Sequence, residues 1–164
     1  MECGRTAERT VIIMKKRKYI AYGSNLNVEQ MSFRCPDATV YATGTIENYR
    51  LAFTHAGGSG SYLTIEKSAG DSVPVVVWEV SERDEKSLDR YEGFPTFYRK
   101  EVIPVLIDGE TDTECFAYLM NAREYGIPTS FYVNTCAQGY RAFGFDTSAL
   151  KNALELSYDN VILN

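Results

Sequence analysis

Tyr22-Gly23-Ser24-Asn25-Leu26 is the stretch on which the reading of this chain turns. The apolar run Tyr19-Ile20-Ala21-Tyr22 before it reads as a short strand. Asn27–Phe33 after it reads as one or two helical turns, ended by Pro36. The five residues therefore form a strand-to-helix turn. Gly23 brings backbone freedom, and either Ser24 or Asn25 can cap the helix behind it. Such a turn points free N–H groups and the positive end of a helix dipole at whatever lies in front, which suits a carboxylate or a developing oxyanion. Many α/β proteins begin with a strand, a glycine and a helix, so a plain structural turn is the competing reading.

Working outward, 164 residues suggest one domain, long enough to bury ~70% of the unfolded chain's surface. A net charge of −5 gives no electrostatic reason to expect nucleic acid as a partner. No apolar run approaches the ~20 residues that span a bilayer, so no membrane partner is expected. Cys3, Cys35, Cys115 and Cys136 are widely spaced, which reads as buried reduced thiols of a cytoplasmic protein and not as a zinc site. Twelve tyrosines and eight phenylalanines fit a sheet-rich fold with an aromatic pocket, or a β core alone. Residues 1–17 read as an N-terminal extension, with Met14-Lys15-Lys16-Arg17-Lys18 a second possible start, and residues 18–164 as the domain.

Along the domain, Ala38–Gly44 and Tyr49–Thr54 read as strands joined by a turn near Glu47-Asn48. Residues 55–61 read as a mobile loop at the rim of a site. Tyr62–Glu66 follows as a strand, where a phosphate loop would be followed by a helix. His55, the only histidine, reads as a polar loop residue. Val73–Val80, with Trp78, reads as a central strand. Ser81 caps a helix over Glu82–Tyr91 with Leu88 and Tyr91 inward, stopped by Gly93. Phe97–Ile107 reads as a long strand that Pro104 places at an edge or a bulge. Asp108-Gly109 turns it back into Glu114–Met120. Thr129 or Ser130 caps a helix over Phe131–Phe143, whose small Cys136 and Gly139 allow close approach. Asp146 caps a last helix to about Leu156. Six or seven strands with helices on one side predict an α+β fold around a partly closed mixed sheet.

Glu92 stands out as a candidate for chemistry. It ends a helix, where the dipole is negative, among the bulky, weakly polar residues Tyr91, Phe94, Pro95, Phe97 and Tyr98. Both features disfavour a charged carboxylate and push its pKa upward, which suits a group that takes and returns a proton. The plain alternative is an exposed Glu in a Gly-Pro turn.

The turn at residues 22–26, followed about seventy residues later by Tyr91-Glu92-Gly93-Phe94-Pro95-Thr96-Phe97-Tyr98, resembles the γ-glutamylcyclotransferase-like family. The pattern looks closest to the branch with γ-glutamylamine cyclotransferase and the plant AIG2-like proteins. The likeness covers roughly residues 18–157 and implies a small mixed β-barrel-like sheet with flanking helices. It implies a reaction on a small γ-glutamyl substrate, without cofactor or metal, that releases 5-oxoproline. Glu92 matches the family's catalytic glutamate. Tyr22, Gly23, Ser24, Asn25, Leu26 and Tyr132 then surround the substrate, the Gly23–Leu26 amides holding its anions. For Tyr22 and Tyr132 ordinary packing is the alternative. The alternative function is a domain of the same fold that binds a small acid, or a partner, without turnover. Sequence leaves the oligomeric state and the leaving amine open.

Overall fold

The computed structural model of the protein describes residues 15–58, 60–122 and 124–163. Cys3 and all but the last three residues of the 1–17 extension lie outside these. The strands are β1 (Arg17–Ala21), β2 (Thr39–His55), β3 (Tyr62–Val80), β4 (Tyr98–Val102), β5 (Val105–Ile107), β6 (Glu110–Asp112), β7 (Cys115–Met120) and β8 (Glu124–Tyr125). The helices are α1 (Val28–Arg34), α2 (Glu82–Glu92), α3 (Ser130–Ala142) and α4 (Ser148–Val161). All the strands join one mixed sheet in the order β4-β7-β1-β3-β2-β5-β6, with β8 on β2. The sheet curls into a half-barrel with the helices around it, the α+β architecture that the sequence implies. Short β1 lies inside it, antiparallel to β3 and parallel to β7, with Tyr19, Ile20 and Ala21 buried. No helix among the described residues is long and apolar enough to cross a membrane.

Several boundaries differ from those read in the sequence, for local reasons. The turn expected at Glu47-Asn48 is a bulge inside one long β2. Asn48 takes a positive φ of 61° there, and its side-chain oxygen accepts from the Gly70 N–H at 3.1 Å. Its short amide side chain makes that conformation accessible, and residues 68–71 of β3 stand opposite it, so the ladder is interrupted there without ending β2. Tyr62–Glu66 and Val73–Val80 likewise fuse into β3, with Gly70 (φ 84°) at the bend. Pro104 does more than bulge its strand. It divides it into β4 and β5, because it has no N–H for a ladder. The Asp108-Gly109 turn leads into short β6, and Cys115–Met120 is a separate strand pairing with β4 and β1. Helix α4 runs on to Val161, and the Asp146 side chain accepts from the Ser148 N–H at 2.9 Å while Thr147 is the cap residue.

Helix α2 carries the candidate carboxyl, Glu92, into position. Ser81 and Asp84 close a capping box at its start, each side chain accepting from the other's N–H. Gly93 ends it in the left-handed conformation (φ 65°), and a Cβ there would lie 2.6 Å from the Phe97 ring. The helix starts beside the first residue of β1, because Val80 pairs with Arg17. Eleven helical residues rise about 16 Å. The five residues of β1 rise about as far. The end of α2 thus comes level with the turn that follows β1. Matched length, not sequence proximity, brings Glu92 to the Gly23–Asn25 turn.

Candidate active site

A cavity of about 780 Å³ opens between the end of β1, the end of α2 and the loop after β2. Tyr22, Gly23, Ser24, Asn25, Glu92 and Tyr132 all line it. Leu26, the remaining residue named from the sequence, does not. Its side chain is fully buried, and its N–H donates to the Gly23 carbonyl at 3.1 Å. That bond closes a single 3-10 turn over Ser24–Leu26. The N–H groups of Ser24 and Asn25 head the turn and meet no protein acceptor among the described residues. Neither residue caps α1. Asn27 does, its side chain accepting from the Gln30 N–H at 3.2 Å. Gly23 has φ −129°, so its backbone does not occupy the left-handed region, and a Cβ there would face Leu63 and the Tyr132 hydroxyl. Helix α3 backs the turn through Gly139. A Cβ at that position would meet Leu26 at 2.6 Å, so only glycine allows this contact.

Asn25 is fixed on three sides. Its carbonyl accepts from the Trp78 indole at 3.1 Å, its side-chain oxygen accepts from Arg34, and its side-chain nitrogen donates to the Tyr19 hydroxyl at 2.8 Å. The Arg34 guanidinium also lies over the Tyr91 ring, 3.4 Å from its centre. The Tyr91 hydroxyl meets Ser24 Oγ at 3.0 Å, which ties the turn to the end of α2. Tyr91 itself is 46% exposed, so it faces the cavity and not the core side expected from its spacing with Leu88. Tyr132 accepts from the Leu63 N–H at 3.1 Å and packs edge-on against Tyr62 and Phe53.

Glu92 sits at the C-terminal end of α2 on the wall of the cavity. Among the described residues its carboxyl has no hydrogen-bond donor and no cation at ion-pair distance. Burial pushes its pKa up to about 7, against a smaller downward pull from Arg34. Its charge is felt by the hydroxyls of Tyr19, Tyr22, Tyr98 and Tyr132, each raised chiefly by burial. A carboxyl in this setting exchanges protons at neutral pH.

The other candidate groups are not set up for the chemistry, although His55 also lines the cavity. The ring of His55 accepts from the Gly57 N–H at 3.1 Å through Nδ1, and Nε2 lies 3.7 Å from Glu124. Cys35, Cys115 and Cys136 are free and buried, with burial raising each thiol to about 12. A thiol held so far above neutrality is a poor nucleophile. Among the described residues no group of three His, Cys, Asp or Glu side chains is placed to hold a metal ion.

A family model described as γ-glutamyl cyclotransferase, AIG2-like, matches residues 19–134, which include both the turn and Glu92. The chain belongs to the γ-glutamylcyclotransferase family of enzymes. It is 30% identical over 147 residues to γ-glutamylcyclotransferase of Homo sapiens, covering 85% of this chain and 73% of that protein. The same figures hold for γ-glutamylcyclotransferase of Bos taurus. A solved structure of a γ-glutamyl cyclotransferase superposes with a TM-score of 0.77 at 28% identity, covering 85% of this chain and 86% of that one.

Within this family frame, three contributions escaped the sequence reading. Tyr19 counted there only as part of an apolar strand, and no local signal gives its hydroxyl a partner. Arg34 looks like an ordinary basic residue in the last turn of a helix. Tyr118 lies on the cavity wall and donates to Asp89 at 2.5 Å, a contact between two distant elements.

Proposed function

We propose that this enzyme is a cofactor-independent cyclotransferase that releases 5-oxoproline from a γ-glutamyl amine, amino acid or peptide, with Glu92 as general acid and base. The observation that carries the reading is one cavity holding both a carboxyl poised near neutrality and the free N–H groups of a turn. Reaction needs the γ-glutamyl group curled so that its α-nitrogen meets its own γ-carbonyl carbon. An enclosing wall of tyrosines favours that fold over an extended one. Glu92 takes a proton from the α-ammonium, and the freed amine attacks, opening the carbonyl to an oxyanion. The oxyanion collapses, the bond to the leaving nitrogen breaks, and protonated Glu92 hands the proton to that nitrogen. Glu92, a carboxylate again, takes the second proton from the ring nitrogen and passes it to the departing amine, giving 5-oxoproline and the amine as its ammonium. The Ser24 and Asn25 amides supply donors to the substrate's anionic oxygens. No protein nucleophile is required, in keeping with the buried thiols.

The test is to incubate the purified chain with γ-glutamyl-alanine and with γ-glutamyl-ε-lysine and measure 5-oxoproline. Release from either supports the reading, and the preferred one identifies the leaving group. Saturable binding of both with no 5-oxoproline would make the domain a small-acid binder.

A further inference from the structure

Seven tyrosines line the cavity. Tyr62 and Tyr91 are nearly half exposed, and the hydroxyl protons of the other five, Tyr19, Tyr22, Tyr98, Tyr118 and Tyr132, can be followed one at a time. A phenol has one proton to donate and can also accept. Tyr22 donates to the Tyr118 carbonyl, Tyr98 to the Leu63 carbonyl at 3.0 Å, and Tyr118 to Asp89. These three protons are taken by the protein. Tyr132 accepts from the Leu63 N–H, and its own hydroxyl has the Cys136 sulfur as a partner. Tyr19 alone only accepts, from the Asn25 side-chain nitrogen, although it is just 4% exposed.

The direction of the Tyr19 contact is imposed from outside. Arg34 has only donors, so Asn25 must turn its oxygen to it. The amide nitrogen then faces Tyr19, and the Tyr19 oxygen must accept. Its own proton has no protein acceptor among the described residues and is left on the cavity side. A buried donor without an acceptor is costly, so a site that keeps one is arranged for an acceptor that arrives later. The relay Arg34–Asn25–Tyr19 begins at a cation, which polarises each bond along it and strengthens the last donor.

We infer that Tyr19 is a second catalytic residue of this site, donating its hydroxyl hydrogen bond to the γ-carbonyl oxygen of the substrate as that oxygen becomes an oxyanion. This rests on the cyclotransferase reading above. The α-carboxylate carries its charge before and after reaction, and the turn's amides suit it. A neutral hydroxyl gains most on an oxygen whose charge appears only in the transition state. Burial and the neighbouring Glu92 charge keep the Tyr19 phenol protonated, so it acts as a donor and not as a base.

The experiment uses the full chain with γ-glutamyl-alanine or γ-glutamyl-ε-lysine, whichever the wild type turns over. Tyr19→Phe keeps the ring in the core, and melting curves check its fold. We expect kcat to fall by about 10²-fold, as for loss of one oxyanion donor, with KM changed less than roughly threefold. Because the relay also holds Asn25, fluorotyrosines of increasing acidity are placed at position 19 as a second measurement. A donor to the oxyanion gives a kcat that climbs with phenol acidity while KM stays level. A residue that merely props Asn25 gives no trend. A loss in KM alone, a kcat within threefold of wild type in Tyr19→Phe, or a flat fluorotyrosine series overturns the inference while leaving the cyclotransferase reading intact. A wild-type chain that releases no 5-oxoproline overturns both.

Discussion

Three carboxyls lie on one face of α2, Glu85, Asp89 and Glu92, spaced by four and then three residues. The first two are met by cations. Glu85 takes Arg17 and Lys100, and Asp89 takes Lys100 at 2.7 Å and the Tyr118 hydroxyl. These contacts pin the helix to β1, β4 and β7. The third, one turn on, has no cation at ion-pair distance and no donor among the described residues, and its pKa rises to about 7. The same type of group on the same face serves as anchor in the first two positions and is left proton-active in the third. What differs is the supply of partners, together with the negative end of the helix dipole at Glu92.

The sharpest way to break this comparison is Glu92→Gln, which keeps shape but cannot exchange a proton. General acid–base residues contribute ~10²–10⁴-fold in rate. One residue makes both transfers here, so the loss should reach the upper end, in kcat far more than in KM. Turnover within a few-fold of wild type would remove Glu92 from the chemistry.

The same substitution should stabilise the fold, because a starved carboxylate opposes folding. Above its folded-state value of about 7, Glu92 is charged in both states, and the fold bears the burial of that charge. Below its ordinary value near 4.5 it is neutral in both, and the penalty vanishes. Each pH unit between those two values is worth about 1.36 kcal/mol, so the whole penalty is about 3 kcal/mol. Glu92→Gln should therefore gain up to about that much over wild type at pH 8, with the gain lost as pH falls from 7 to 4.5, as read by urea unfolding. Equal stability at pH 8 would mean that Glu92 is not starved.

Lys100→Met probes the anchoring pair and should act with the opposite sign. It strands Glu85 and Asp89 without their shared cation and should destabilise by about 2 kcal/mol at pH 7, below the ~3–5 of a fully buried pair. An unchanged unfolding midpoint would show that these contacts do not hold α2.

The smallest effect on the Glu92 carboxyl is expected from Arg34→Gln. Arg34 is the cation that lowers the Glu92 pKa, so its removal should move the acidic limb of the rate to higher pH. A limb that moves down, or stays, would show that the cation does not act on Glu92.

How much of this was legible in the sequence follows the range of the interactions. The turn at residues 22–26, the Ser81 cap, the Gly93 stop and the raised Glu92 pKa are local signals, and each could be read from neighbours in the chain. The mixed sheet followed from the family resemblance and the strand pattern. The fused strands β2 and β3 were not legible, because Asn48 and Gly70 are turn residues in isolation and become bulges only when paired with each other. The Asn27 cap was hidden because three polar candidates stand in four positions. Arg34, Tyr19 and Tyr118 act across elements 9, 6 and 29 residues away from their partners. Propensity and periodicity are silent on such contacts.

The central claim is that Glu92 changes protonation near neutrality and that this change gates turnover. The direct measurement is a pH titration of chain carrying ¹³C-labelled glutamate, with Glu92→Gln assigning the resonance, beside the pH profile of kcat/KM for 5-oxoproline release. The account predicts a carboxyl midpoint near 7 that coincides with the acidic limb of the rate. A midpoint below about 5, in the ordinary carboxylate range, would contradict it, as would an acidic limb at the same pH in Glu92→Gln.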